Sequence, residues 1–240
     1  MLEASPPAAF APRAVAISRV FTWFEGAMRL FKRAPVRWCA LGAFTLVSKL
    51  ALELVPGIGR ALSEVVVPVI ECGLLIGAMN VDRGSPLNLG CAVAAFRAPP
   101  AALAAIVVSS LLVTAAEMLV AYALADVNLL TDQSDAALTP PILLAIIATA
   151  TLASLPLAFV PMAALFQRAG FTRAFSASVR GFAVNVGPLL VFGAISLVLT
   201  LLGLLAFWVG LIAVFPLLAA ASYFGWRDIY APPPETLTRY

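Results

Sequence analysis

The residues of this chain that could do chemistry are a few charged side chains set inside long apolar runs. Lys49 and Glu53 stand four apart, as do Arg60 and Glu64; Glu71 follows one heptad after Glu64, and Glu117 interrupts a later run. On a helix, a spacing of four places opposite charges side by side, so Lys49–Glu53 and Arg60–Glu64 have ion-pair register. A charge at the centre of a bilayer costs about 2.5–3.5 kcal/mol on insertion scales, so each of these groups should face protein or water. Two chemistries compete for them. One is a cation or proton path, or a polar-substrate site, built from Glu71, Glu64, Glu117 and Lys49. The other is structural: ion pairs near the outer interface, and two carboxyls that glue helices or a partner subunit together. The structural account is the leading expectation. Glu71 is the residue least suited to an idle role, and Glu117 is next.

Other chemistry is thinly represented. The chain has no histidine, so it lacks the commonest metal ligand and the side chain best suited to proton transfer near neutral pH. It has no glycine-rich phosphate loop, no G-x-S-x-G elbow and no carboxylate cluster with metal spacing. Cys39, Cys72 and Cys91 are scattered, form no C-x-x-C pair, and read as small packing residues. Ser176, Ser178 and Arg180 fall on an amphipathic stretch where an N-cap or a lipid headgroup contact accounts for them. No catalytic residue, cofactor, metal or nucleic-acid partner is therefore expected. The expected partners are membrane lipids and other membrane-protein subunits.

The elements that must position these charges are membrane helices. Of 240 residues, 62% are hydrophobic and 11% charged, against roughly 25% charged in a soluble domain. From Gly181 to Trp226 no residue carries a formal charge, a run long enough for two spans of about 20 residues. The expected fold is all-α: a polytopic transmembrane bundle with spans at about 36–55, 61–80, 100–124, 142–166, 187–204 and 207–225. Pro56-Gly57-Ile58-Gly59 separates the first two, and Pro99-Pro100 and Pro140-Pro141 open the third and fourth, where proline costs least. A tight turn near Gly203 is expected between the last two. Pro68, Pro156, Pro161 and Pro216 fall inside spans, where each should bend its helix while neighbours satisfy the freed carbonyl.

Ahead of the first span, Ile17, Val20, Phe21, Phe24, Met28 and Phe31 recur at helical spacing opposite Arg19, Glu25, Arg29, Lys32 and Arg33. This pattern predicts an interfacial amphipathic helix over 14–33, with Trp23 and Trp38 at the headgroup level. Residues 1–13 and 231–240 read as flexible tails around a single helical domain, 14–230. The first dozen residues lack a basic n-region and a bounded apolar core, so no signal peptide is expected there. Of the 15 basic residues, 13 fall before or at the very start of the first span (Arg37), between the second and third, between the fourth and fifth, or after the last. The segment from Asp126 to Pro141 holds Asp126, Asp132 and Asp135 and no basic residue. By the positive-inside rule both termini are cytoplasmic.

The chain also repeats itself. Gly42-Ala43-Phe44-Thr45-Leu46-Val47 reappears as Gly193-Ala194-Ile195-Ser196-Leu197-Val198, and Pro68, Gly73 and Gly77 as Pro216, Ala221 and Gly225. Phe21-Thr22 and Phe171-Thr172 each open an amphipathic stretch ahead of a pair of spans. A parallel internal duplication is thus expected, of the kind from which many transporters are built. Its small-x-x-x-small steps, Gly73/Gly77 and Ala221/Gly225, are candidates for close helix packing. The charges do not repeat: Lys49 corresponds to Thr200, Glu53 to Leu204, Glu64 to Ile212 and Glu71 to Ala219.

Several stretches, Trp23 to Trp38, Pro56 to Gly59, Ala78 to Leu87, Ser178 to Pro188 and Ser222 to Tyr230, carry a family resemblance. On them the chain resembles an uncharacterised family of six-helix proteobacterial inner-membrane proteins. More distantly it is similar to the membrane domain found beside glycerophosphodiester phosphodiesterases. The resemblance implies a six-helix fold and a place in the bacterial inner membrane, and it carries over no catalytic residue; Glu64 and Glu71 lie outside its pattern. The expected role is a non-enzymatic accessory or assembly subunit, or a scaffold acting through helix and lipid contacts. A small transporter or channel component using the acidic seam is the alternative.

Overall fold

A computed structural model describes residues 11–130 and 139–230. The remainder of the two expected tails, with Asp132 and Asp135 of the acidic segment, lies outside the described residues. The secondary structure of the described residues is helical, with no strand among them.

Proline and glycine set the boundaries. Helix α1 (Arg19–Arg33) ends at Ala34, which proline at the next position drives out of helical geometry, and α2 (Pro35–Glu53) restarts at that proline. After the turn at 54–58, α3 (Gly59–Asp82) runs unbroken through Pro68. A short helix α4 (Cys91–Ala94) and a 3₁₀ turn fold back beneath α3, an element with no counterpart among the predicted ones. Helix α5 (Pro100–Ala125) starts on proline and closes on Asp126 in the left-handed conformation. The predicted fourth span is divided. Helix α6 (Pro140–Ser154) gives way to a 3₁₀ turn at Leu155–Leu157, and α7 (Val160–Phe166) resumes with Pro161 at its start. Helix α8 (Phe171–Val184) precedes α9 (Val186–Leu205) and α10 (Leu211–Tyr230).

Four of these segments are long and apolar enough to cross a membrane: Gly59–Asp82, Pro100–Ala125, Pro140–Phe166 and Val186–Leu205. The protein is a helical membrane protein on that ground. Helices α2 and α10 occupy the places predicted for the first and last spans but carry charge near their ends, at Arg37, Lys49 and Glu53 and at Arg227 and Asp228.

Two close approaches bind the bundle together. At Gly42, where α2 crosses α10, a methyl group would strike the Ile212 carbonyl; at Gly73 it would strike the Cys91 carbonyl of α4. Gly77 meets Leu87 and Trp38, and Gly225 lies on the Trp23 ring. Ala221, the last of the four expected packing positions, is fully buried. The small residues thus serve different partners in the two halves: α4 and α2 for Gly73 and Gly77, α1 for Gly225.

Several local expectations change. Trp23 and Trp38 are core residues and do not sit in a headgroup belt, because each indole N–H finds a protein acceptor, Asp228 Oδ2 for Trp23 and the Leu30 carbonyl for Trp38, both at 3.0 Å. Helix α1 starts at Arg19 and not at residue 14. The preceding backbone is committed elsewhere: the Arg13 N–H donates to the Ile229 carbonyl and the Val15 N–H to Asn185 Oδ1. Arg13, the last residue of the predicted tail, is therefore held. The turn expected at Gly203 falls later, at 206–210, where Phe207 and Trp208 take positive φ; Gly203 itself stays in α9 and packs on Gly210.

Candidate functional site

The break between α6 and α7 shows how the bundle can hold irregular backbone at depth. Ser178, fully buried on α8, donates from its hydroxyl to the Pro156 carbonyl at 2.7 Å and accepts from the Phe159 N–H at 3.0 Å. One side chain satisfies both groups that the helix no longer pairs. The role expected for Ser178, a cap or headgroup contact, is replaced by this one.

The broken segment forms part of the wall of a partly open cavity of about 630 Å³ bounded by α2, α3, α5, α6, α7, α9 and α10. From the break come Ser154, Leu157, Ala158 and Pro161. Three ionisable carboxylate or amine side chains reach the same space: Glu71 from α3, Glu117 from α5 and Lys49 from α2. Hydroxyls add a second polar layer, with Ser109 and Ser110 on α5, Thr151 on α6, Ser196 and Thr200 on α9 and Ser222 on α10. Apolar surface between them comes chiefly from Ile106, Met162, Phe192 and Phe215.

The charges are unequally provided for. Lys49 Nζ lies 3.3 Å from Glu53 Oε1 and 3.7 Å from Glu64 Oε1, so it bridges two carboxylates on successive helices. Glu64 also accepts from the Thr114 hydroxyl at 2.6 Å. Arg60, four residues before Glu64, donates to the Leu129 carbonyl at 3.0 Å. Glu71, midway along α3, is exposed and lines the cavity, and Glu117 is half-buried. Among the described residues neither Glu71 nor Glu117 has a hydrogen bond or ion pair. The expected seam is thus two groups: a paired Lys49–Glu53–Glu64 cluster, and a pair of carboxyls open to the cavity.

A different polar cluster sits at the end of α10. Asp228, 7% exposed at its side chain, receives Arg13 Nη2 at 2.6 Å, Arg19 Nε at 2.8 Å and Trp23 Nε1 at 3.0 Å. Burial works to raise its pKa, but the hydrogen bonds from Arg19, Trp23 and Arg13 outweigh it and hold the carboxyl below its ordinary value. Asn185, buried between α8 and α9, binds the Arg13 carbonyl and the Val15 N–H. Nearby, Asp82 at the end of α3 pairs with Arg227 and accepts from the Tyr223 hydroxyl at 2.8 Å. The sequence reading missed Asp228 because its partners lie more than 200 residues away. The Asp228-Ile229-Tyr230 end of the stretch from Ser222 to Tyr230 is its one visible signal in the sequence.

No family model, curated protein or solved structure matches the chain. Among the described residues no group of three His, Cys, Asp or Glu side chains converges as a metal shell.

Proposed function

We propose that the protein is a small membrane transporter or channel component whose cavity receives a polar solute. The observation that carries this reading is that Glu71 and Glu117, from separate helices, line one cavity with no hydrogen bond or ion pair to either among the described residues. A buried polar group without a partner costs on the order of 1–3 kcal/mol, and more when charged, so a dry helix contact would not retain two of them. The broken α6–α7 segment supports the same reading, since irregular backbone at membrane depth is found where it is packed in protein or lines a cavity. The second-ranked function on sequence is the one the geometry favours.

The same proposal includes the topology. Helices α2 and α10 complete six spans, with both termini cytoplasmic and the basic residues of the loops on that side in the bacterial inner membrane. The duplication is favoured by equivalent positions that meet in the cavity: Lys49 with Thr200, Glu71 with Ala219, and Leu74 with Ser222. Membership of the six-helix inner-membrane family rests on the motifs quoted above.

The test is chemical access. In a background lacking Cys39, Cys72 and Cys91, the variant Ala219→Cys is treated with N-ethylmaleimide in membrane vesicles. Modification is expected, because the thiolate forms only where water reaches. An inert cysteine at 219, together with unchanged solute flux in Glu71→Gln and Glu117→Gln, would return the protein to the accessory-subunit reading.

A further inference from the structure

We infer that the cavity's ligand is a small amphipathic organic cation, held between Glu71 and Glu117 with its apolar body against Phe192 and Phe215. This rests on the reading of the cavity as a water-accessible solute site. It goes beyond that reading in assigning the charge and shape of the solute.

The sign of the charge follows from an inventory of the site. Lys49 is the one cation lining the cavity among the described residues, and it is already shared between Glu53 and Glu64. Taken with that cluster, Glu71 and Glu117 make four carboxyl groups against one ammonium. Among the described lining residues an anion entering the cavity would meet two acidic groups and a single basic one, Lys49, already held by Glu53 and Glu64. A cation would supply the partner that both lack, in a setting where charges are weakly screened.

The size and polarity of the wall argue for an organic cation over a bare inorganic ion. A volume of about 630 Å³ lies within the roughly 300–1,000 Å³ of small-molecule sites. It far exceeds what one metal ion requires, and although Cys72 and Met162 also line the space, no group of three His, Cys, Asp or Glu side chains among the described residues converges there. Phe192 and Phe215 add aromatic surface to the wall, which accepts hydrocarbon and suits an ammonium group beside it. The hydroxyls of Ser109 on one side and Ser196 on the other can bond an amine proton or an attached water.

The experiment uses the full chain in detergent with Ala219→Cys as reporter, and two ions of nearly equal size and shape, tetraphenylphosphonium and tetraphenylborate. Tetraphenylphosphonium is expected to slow N-ethylmaleimide modification at least tenfold at saturation, and tetraphenylborate to leave it unchanged. Glu71→Gln and Glu117→Gln, each made separately, should raise the half-protecting concentration roughly tenfold, the loss expected when one of the opposing charges is removed from a weakly screened site. An unprotected modification rate equal to the parent's shows that each variant is folded with its cavity open. Equal protection by both ions, or by neither, overturns the cation assignment and leaves the cavity reading standing. So does protection by tetraphenylphosphonium that survives the double Glu71→Gln, Glu117→Gln change. A cysteine that never reacts removes the cavity reading and this inference with it.

Discussion

Two acidic centres in this molecule are opposites. Asp228, where α10 meets the segment ahead of α1, is surrounded by donors: two arginines and an indole share its two oxygens. Glu71 and Glu117 face a cavity and have no such partner among the described residues. Burial removes water from Asp228, a group that strongly prefers it, whereas Glu71 keeps accessible surface and Glu117 is half-buried. At Asp228 the protein itself replaces the water, so the carboxylate joins elements distant in sequence. At the cavity that replacement is left open. A saturated carboxylate is a structural joint, and an unsaturated one is a place for something to bind.

The largest effect should follow from breaking the joint. Asp228→Asn removes the charge that three donors converge on, and a loss on the order of 3 kcal/mol is expected, within the range for charge-assisted hydrogen bonds. The half-exposed Arg13 and Arg19 can return to water, which keeps the loss from being larger. Thermal unfolding in mild detergent measures it, and a midpoint equal to the parent's would show that α1 does not depend on Asp228. The same joint sets a pH dependence. Because its native pKa lies below the ordinary 3.8, Asp228 contributes stability that is full above that value and is lost as pH falls through the native one. Below about pH 4 the parent should therefore lose stability more steeply than Asp228→Asn; parallel acid profiles would contradict this.

A somewhat smaller loss is expected at the crossing of α2 and α10, which frames the cavity without entering its polar wall. Gly42→Ala places a methyl group against the Ile212 carbonyl, and overpacking of this kind costs about 1–3 kcal/mol. If the unfolding midpoint is unchanged, the two helices do not approach as closely as described. Lys49→Gln probes the boundary between paired and unpaired charge. It frees Glu53 and Glu64 from their shared ammonium, so the negative potential near the cavity rises. Half-protection by tetraphenylphosphonium should then need several-fold less of the ion; an increase would mean that Lys49 supports the binding geometry itself.

Much of this organisation is legible in local sequence, and the rest depends on contacts that local pattern does not encode. Pro35, Pro100 and Pro140 start helices because a missing N–H costs little in a first turn, and this can be read directly. The anomaly of Glu71 and Glu117 is equally visible, since charge in an apolar run stands out in any window. What local pattern cannot show is where such a charge ends up. Arg60 and Glu64 have ion-pair register, yet Glu64 lies beside Lys49 and Thr114 from other helices while Arg60 also reaches a loop carbonyl. Trp23 has the composition of a headgroup residue and becomes core because Asp228 arrives from the far end of the chain. Helix α4 is too short for any periodicity to announce it, and only the small surface of Gly73 admits it.

The smallest expected effect is the most informative. Glu71→Gln preserves shape and removes the charge, and at a saturated joint that change would be costly because the donors would lose their acceptor. Here no donor among the described residues loses anything, while the cost of holding an unpaired acid inside the bundle is relieved. The unfolding midpoint of Glu71→Gln should therefore match the parent's or exceed it slightly, with a change within about 0.5 kcal/mol. A loss comparable to that of Asp228→Asn would mean that Glu71 is a structural joint after all, with a partner supplied by the protein or its membrane. Stability retained, together with weakened cation protection, separates the two acidic centres by what each is for: one holds the chain to itself, and the other is kept for a ligand.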